Sequence, residues 1–88
     1  MLHYIKQIIK TEPYTVTCLF NTGEVRLIDL QHKISAYSQK APDLFGKLLD
    51  KNYFETVHLD SYGTLCWDNE VDFCPDVLYE DSKPVSTV

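Results

Sequence analysis

The stretch Tyr14–Phe20, YTVTCLF, alternates without a break and runs into Asn21-Thr22-Gly23 and then EVRLIDL. A period of two is the signature of a half-buried strand: Val16, Cys18 and Phe20 face one way, Thr15, Thr17 and Leu19 the other. Gly23 can adopt a positive φ at no steric cost, which suits a three-residue hairpin loop with a bulge. Two antiparallel strands joined at residues 21–23 are therefore the firmest local constraint on the fold.

The remainder of the chain is read around that hairpin. LHYIKQIIK, residues 2–10, places Leu2, Ile5, Ile8 and Ile9 at helical spacing, yet three isoleucines and a tyrosine favour a strand, and a strand is expected. Glu12-Pro13 ends it, because the residue before proline avoids the helical region. Leu30, Ile34 and Tyr37 share one helical face, with Asp29 as a cap. Pro42 and Asp43 suit the first turn of a second helix whose buried stripe is Leu44, Phe45, Leu48 and Leu49. FETVHL, residues 54–59, alternates again. Asp60-Ser61-Tyr62-Gly63 repeats the logic of the first turn, and residues 64–67 return as a strand. Cys74-Pro75-Asp76 opens a short helical turn. The expectation is one α+β domain over residues 1–81, with a flexible tail at 82–88. Its core is a small, mostly antiparallel sheet of about five strands in two hairpins, with two short helices between the hairpins and the helical turn near the end.

Composition bounds the function. At 88 residues the chain is one domain with a thin core. The longest apolar run is three residues and the N-terminus lacks the features of a signal peptide, so no membrane association is expected and a cytoplasmic location follows by default. Three cysteines without a C-x-x-C pair argue for reduced thiols rather than disulfides or a zinc knuckle. Net charge is −5, divided as +2 over residues 1–40 and −7 over residues 41–88. An acidic chain with scattered lysines repels phosphate backbones, so direct nucleic-acid binding is not expected.

Chemistry is concentrated in WDNEVDFCPDVLYE, residues 67–80, with five acids among fourteen residues. Asp68, Glu70 and Asp72 alternate like the first ligands of a calcium loop, but Phe73 and Tyr79 stand where that loop needs glycine and glutamate. Paired carboxylates can hydrolyse glycosides across a cleft, for which so short a chain has little room. His3, His32 and His58 fall in separate elements. Cys74 near a helix start could become a thiolate, although Asp72 and Asp76 oppose that. The plain reading of Asp72 and Asp76 is backbone capping. Trp67 packs in a core or anchors an interface, and with Tyr62, Phe73 and Tyr79 it could belong to an aromatic patch.

Asn21-Thr22-Gly23-Glu24-Val25-Arg26, Asp29-Leu30, Gly63-Thr64-Leu65 with Trp67, Asn69 and Asp72, and Pro75-Asp76 with Leu78 and Tyr79 together resemble the small bacterial domain-of-unknown-function family 2442. The resemblance spans residues 3–80, and its second half is the more specific. Cys66 and Cys74 are not part of the signature. It implies a compact α+β domain. It also implies a regulatory setting, since some relatives carry the domain ahead of a helix-turn-helix segment and others are encoded beside another small protein, like toxin–antitoxin pairs. It implies no catalytic residues. Trp67, Asn69, Asp72, Pro75, Asp76 and Tyr79 are the candidate interaction face, or else scaffold.

The sequence thus reads as a non-enzymatic, antitoxin-like interaction module without metal or cofactor. Its expected partner is another small, basic protein or a second copy of itself. The alternative is a small-molecule sensor with residues 67–79 lining a pocket, and a minor third is a hydrolase using Asp68, Glu70 or Asp72.

Overall fold

The computed structural model describes residues 2–68 and 73–85. The chain is α+β. Strands β1 (Ile5–Glu12), β2 (Thr15–Phe20) and β3 (Val25–Asp29) form an antiparallel sheet in the order of the sequence. Helix α1 (Gln31–Lys40) follows, then a single turn α2 (Pro42–Phe45), a 3-10 turn at Gly46–Leu49, and α3 (Lys51–Phe54). Strands β4 (His58–Leu59) and β5 (Leu65–Cys66) make a second, two-stranded sheet. Helix α4 (Pro75–Asp81) leads into β6 (Lys83–Pro84), which pairs with β3.

The first hairpin forms as its alternation requires. Val16, Cys18, Phe20 and Ile28 are buried on one face of the sheet, whereas Thr15, Thr17, Leu19 and Leu27 lie half-buried on the other. Gly23 has φ +89° and donates its N–H to the Phe20 carbonyl. In β1 the helical spacing has a physical cause. Register shifts insert Lys6 and Ile9 as extra residues, so Ile5 and Ile8 lie opposite Phe20 and Cys18 and share the core face although three positions apart. The bulges also interrupt the even spacing of β1 as an edge strand.

Helix α1 packs Leu30 and Ile34 into the core, while Tyr37 lies at the margin. Asp29 accepts the Gln31 N–H at 3.0 Å, so its carboxylate holds the first turn from one residue outside the N-cap, Leu30. The four-residue stripe expected after Pro42 does not form. Only Leu48 is fully buried; Phe45 is half-buried, and Leu44 and Leu49 are exposed. The change from α2 to a 3-10 turn rotates the side chains after Phe45 off the helical face. Phe54 ends a helical turn rather than starting a strand. Asp50 stops the preceding turn and accepts the N–H of Asn52 and of Tyr53, so the pattern of FETVHL gives way to a capped helix. Lys83 and Pro84, placed by sequence in the C-terminal tail, lie opposite Leu27 and Arg26, and Ser82 is buried.

The second hairpin stands apart from the main sheet but is fastened to it. The Ile5 N–H donates to the Gly63 carbonyl at 2.7 Å. Asp60 accepts from Tyr62 and Thr64 N–H groups, and Gly63 has φ +77°. A Cβ at Gly63 would stand 2.9 Å from the Tyr4 Cβ, so close approach as well as positive φ demands glycine here. Leu65, Trp67, Phe73 and Leu78 extend the core beneath the helices.

Candidate functional site

Helix α4 and the N-terminal segment meet over the end of the first hairpin, and three of the six candidate residues, Pro75, Asp76 and Tyr79, lie there. Pro75 occupies the first helical position of α4, where its missing N–H costs nothing. Asp76 follows in the first turn, yet its carboxylate does not cap its own helix. One oxygen accepts the backbone N–H of His3 at 2.8 Å and lies 2.8 Å from His3 Nδ1, seventy-three positions away in sequence. These contacts, the backbone bond first, hold the Asp76 carboxyl below the usual carboxylate range. The His3 ring stacks on Tyr79 with centroids 3.8 Å apart.

Tyr79 joins the helix to β3. Its hydroxyl donates to Glu24, and its ring packs edge-on against Phe20 and beneath the Arg26 guanidinium, 4.4 Å from the ring centroid. Arg26 pairs with Glu24 at 2.7 Å and donates to Ser82 through Nε and Nη2. The bond from Tyr79, followed by that from Thr22, pulls the Glu24 carboxyl below its ordinary value; the same bond to Glu24 raises the Tyr79 phenol. Every charged group in this cluster thus faces a partner within the chain, as partly buried charges must.

Trp67 lies elsewhere. It is 2% exposed, its Nε1 donates to the Phe54 carbonyl at 3.1 Å, and it packs against Phe54 and Phe73. Its burial takes away the support that the sensor alternative drew from this residue. The aromatic patch raised for Trp67, Tyr62, Phe73 and Tyr79 divides: Phe73 joins Trp67 in the core, Tyr79 lies over Phe20, and Tyr62 stands exposed on its turn. Asn69, Glu70 and Asp72 fall outside the described residues. Asp68 is exposed, 3.9 Å from His58 Nε2. Cys74 is exposed at the N-cap of α4, whereas burial pushes the Cys18 thiol up to about 12. Among the described residues no three His, Cys, Asp or Glu side chains gather as metal ligands would, and no helix is long and apolar enough to cross a membrane.

Sequence reasoning missed the N-terminal half of this cluster. Glu24 and Arg26 stand in the family signature, but no local pattern links them to His3 or Ser82; only the docking of α4 onto β3 brings them together. Two surface grooves were also invisible. One of about 590 Å³ runs between α1 and the C-terminal strand, lined by Asp29, His32, Lys33, Tyr37, Asp81 and Lys83. Another of about 530 Å³ lies between the start of β1 and the second turn, lined by Tyr4, Lys6, Leu59, Asp60 and Tyr62 among others.

The model of the DUF2442 family, described as proteins of unknown function, matches residues 5–84. The chain belongs to this family. No curated protein matches it. Among solved structures it is similar to a Nitrosomonas europaea crystal structure named "Putative DNA Binding Protein", with 26% identity and a TM-score of 0.71. The likeness covers 92% of this DUF2442 chain and 49% of the other, so the chain spans about half the length of that protein. This overturns the expectation that nucleic-acid contact is excluded. That expectation rested on net charge, a property of the whole surface that does not report on a local contact or on a protein's other parts.

Proposed function

We propose that this DUF2442 domain is a non-enzymatic interaction module of a DNA-linked regulatory system, and that it engages a basic protein partner in the manner of an antitoxin. The observation that carries the reading is how its carboxylates are used. Asp29, Asp50, Asp60 and Asp76 each accept backbone N–H groups, and Glu24 and Asp81 are paired with Arg26 and Lys33. These acids maintain the fold. Asp43, Glu55 and Glu80 are exposed, make no ion pair among the described residues, and give the surface negative potential that steers a basic partner. The regulatory setting draws on the Nitrosomonas europaea protein, of which this chain resembles about half.

The test combines recovery with DNA retention. Tagged protein incubated with lysate of its own source organism at low salt is expected to recover a small basic protein that is released as salt rises, because screening shortens the reach of surface charge. Mobility of promoter DNA is then measured with the chain, with the partner, and with both. Recovery of nothing at low salt overturns the partner, and failure of all three mixtures to retard DNA overturns the setting.

A further inference from the structure

The corner formed by the N-terminal segment and the second turn does what no fold requirement asks. Leu2 is 78% exposed, Tyr4 45% and Tyr62 82%. Large apolar side chains exposed singly are ordinary, but here Tyr4 and Tyr62 border one groove together with Leu59 and Lys6, and Leu2 precedes Tyr4 by two residues.

The corner is held firmly. Asn21 accepts the Tyr4 N–H at 2.9 Å, donates its own N–H to the Tyr4 carbonyl, and donates its side-chain amide to the Leu2 carbonyl. His3 is fixed to Asp76. On the other side Asp60 accepts two turn N–H groups, and Gly63 is locked against Tyr4 and Ile5. A partner meets exposed apolar groups on backbone that is already ordered, so little entropy is lost on docking.

We infer that this corner is a docking surface for a second copy of the chain, joined about a two-fold axis through Tyr62 and Tyr4, with Lys6 of each copy facing Asp60 of the other. One observation selects that occupant and a second bounds the strength of the contact. The first is charge. A chain of net charge −5 repels its own copy, yet this groove carries one cation and one anion, and Lys6 makes no ion pair among the described residues. A two-fold contact places i against j and j against i, so a neutral patch with one charge of each sign is self-complementary. The second is area. The exposed parts of Leu2, Tyr4 and Tyr62 offer roughly 400 Å² per copy, taking 150–250 Å² for an aromatic side chain. Doubled, this falls below the roughly 1,200 Å² of a stable interface, so the contact is a weak, concentration-dependent dimer. The inference goes beyond the proposed function and does not depend on the basic partner.

Sedimentation equilibrium from micromolar to millimolar protein tests it. The wild type is expected to rise toward twice the monomer mass. Tyr62→Ser alters an exposed side chain; it is expected to keep the wild-type circular dichroism spectrum and to stay monomeric. Lys6→Glu is expected to weaken association at least fivefold at low salt. A wild type that stays monomeric at millimolar concentration overturns the inference, as does a Tyr62→Ser variant that associates like the wild type. Saturable binding of a single-stranded oligonucleotide by monomeric wild type, abolished by Tyr62→Ser, also overturns it by assigning the two tyrosines to bases. Recovery of a basic partner by monomeric Tyr62→Ser would leave the proposed function standing, so the two readings fail separately.

Discussion

Both hairpins of this DUF2442 domain turn by the same chemistry and are stabilised by different means. The first has an Asn-Thr-Gly turn, with Gly23 at φ +89°, between strands that pair over five positions. The second has an Asp-Ser-Tyr-Gly turn, with Gly63 at φ +77°, between strands that pair over two. A two-stranded ribbon that short is not stable alone in water. The second hairpin depends on what it touches: Ile5 through the Gly63 carbonyl, Phe73 through the Thr64 hydroxyl, and the core through Leu65 and Trp67. The lesson is that one turn signal can end a self-sufficient element or one that exists only by tertiary support.

The comparison is broken most forcefully at the tertiary anchor. Trp67→Ala removes a buried ring and leaves the Phe54 carbonyl without its indole donor. A loss of about 3–5 kcal/mol is expected in chemical denaturation, a large part of the roughly 5–15 kcal/mol that holds a domain folded. A loss under about 1 kcal/mol would mean that the second hairpin does not need its anchor.

A matched pair of turn variants sharpens the point. Both Gly23→Ala and Gly63→Ala force an L side chain into positive φ, at a cost of about 1–2 kcal/mol each. Gly23 has open space around it, while a methyl group at Gly63 meets Tyr4 and the Ile5 carbonyl. Gly63→Ala is therefore expected to lower the melting temperature clearly more than Gly23→Ala. Equal shifts would show that the second turn is as independent as the first.

The smallest effect is expected at Asp76, which ties α4 to the N-terminal segment. Its folded carboxyl lies below the ordinary value, chiefly through the His3 N–H. A depressed carboxyl stabilises the fold above its unfolded pKa of about 3.9, and that contribution disappears as pH falls through the folded value. Asp76→Asn should therefore flatten the stability profile below about pH 4, where wild type declines. Urea midpoints measured across that range decide it, and a variant that declines as steeply as wild type removes Asp76 from the acid response.

What could be read without coordinates follows the range of the forces involved. The first hairpin was legible because alternation and a positive-φ glycine act within a few residues. The turn at Asp60–Gly63 and the helix start at Pro75 were legible for the same reason. Misreadings arose where a local pattern met a competing local or distant contact. Asp50 capped a helical turn into Phe54, a 3-10 turn rotated Leu49 to the surface, and β3 recruited Lys83 and Pro84. Of the candidate site, Asp76 was legible as a holder of backbone, but the backbone that it holds was not.

By itself, then, the amino-acid order determined the two turns, the alternating strands of the first hairpin, the acidic character and the membership of the family. Tertiary structure alone decided that Trp67 is core, that His3, Asp76, Tyr79, Glu24 and Arg26 form one cluster, and that Tyr4 and Tyr62 stand exposed at one corner. The reason is physical. Turn and strand preferences are set by sterics between near neighbours, whereas burial and ion pairing depend on which distant surfaces the folded chain brings within a few ångströms.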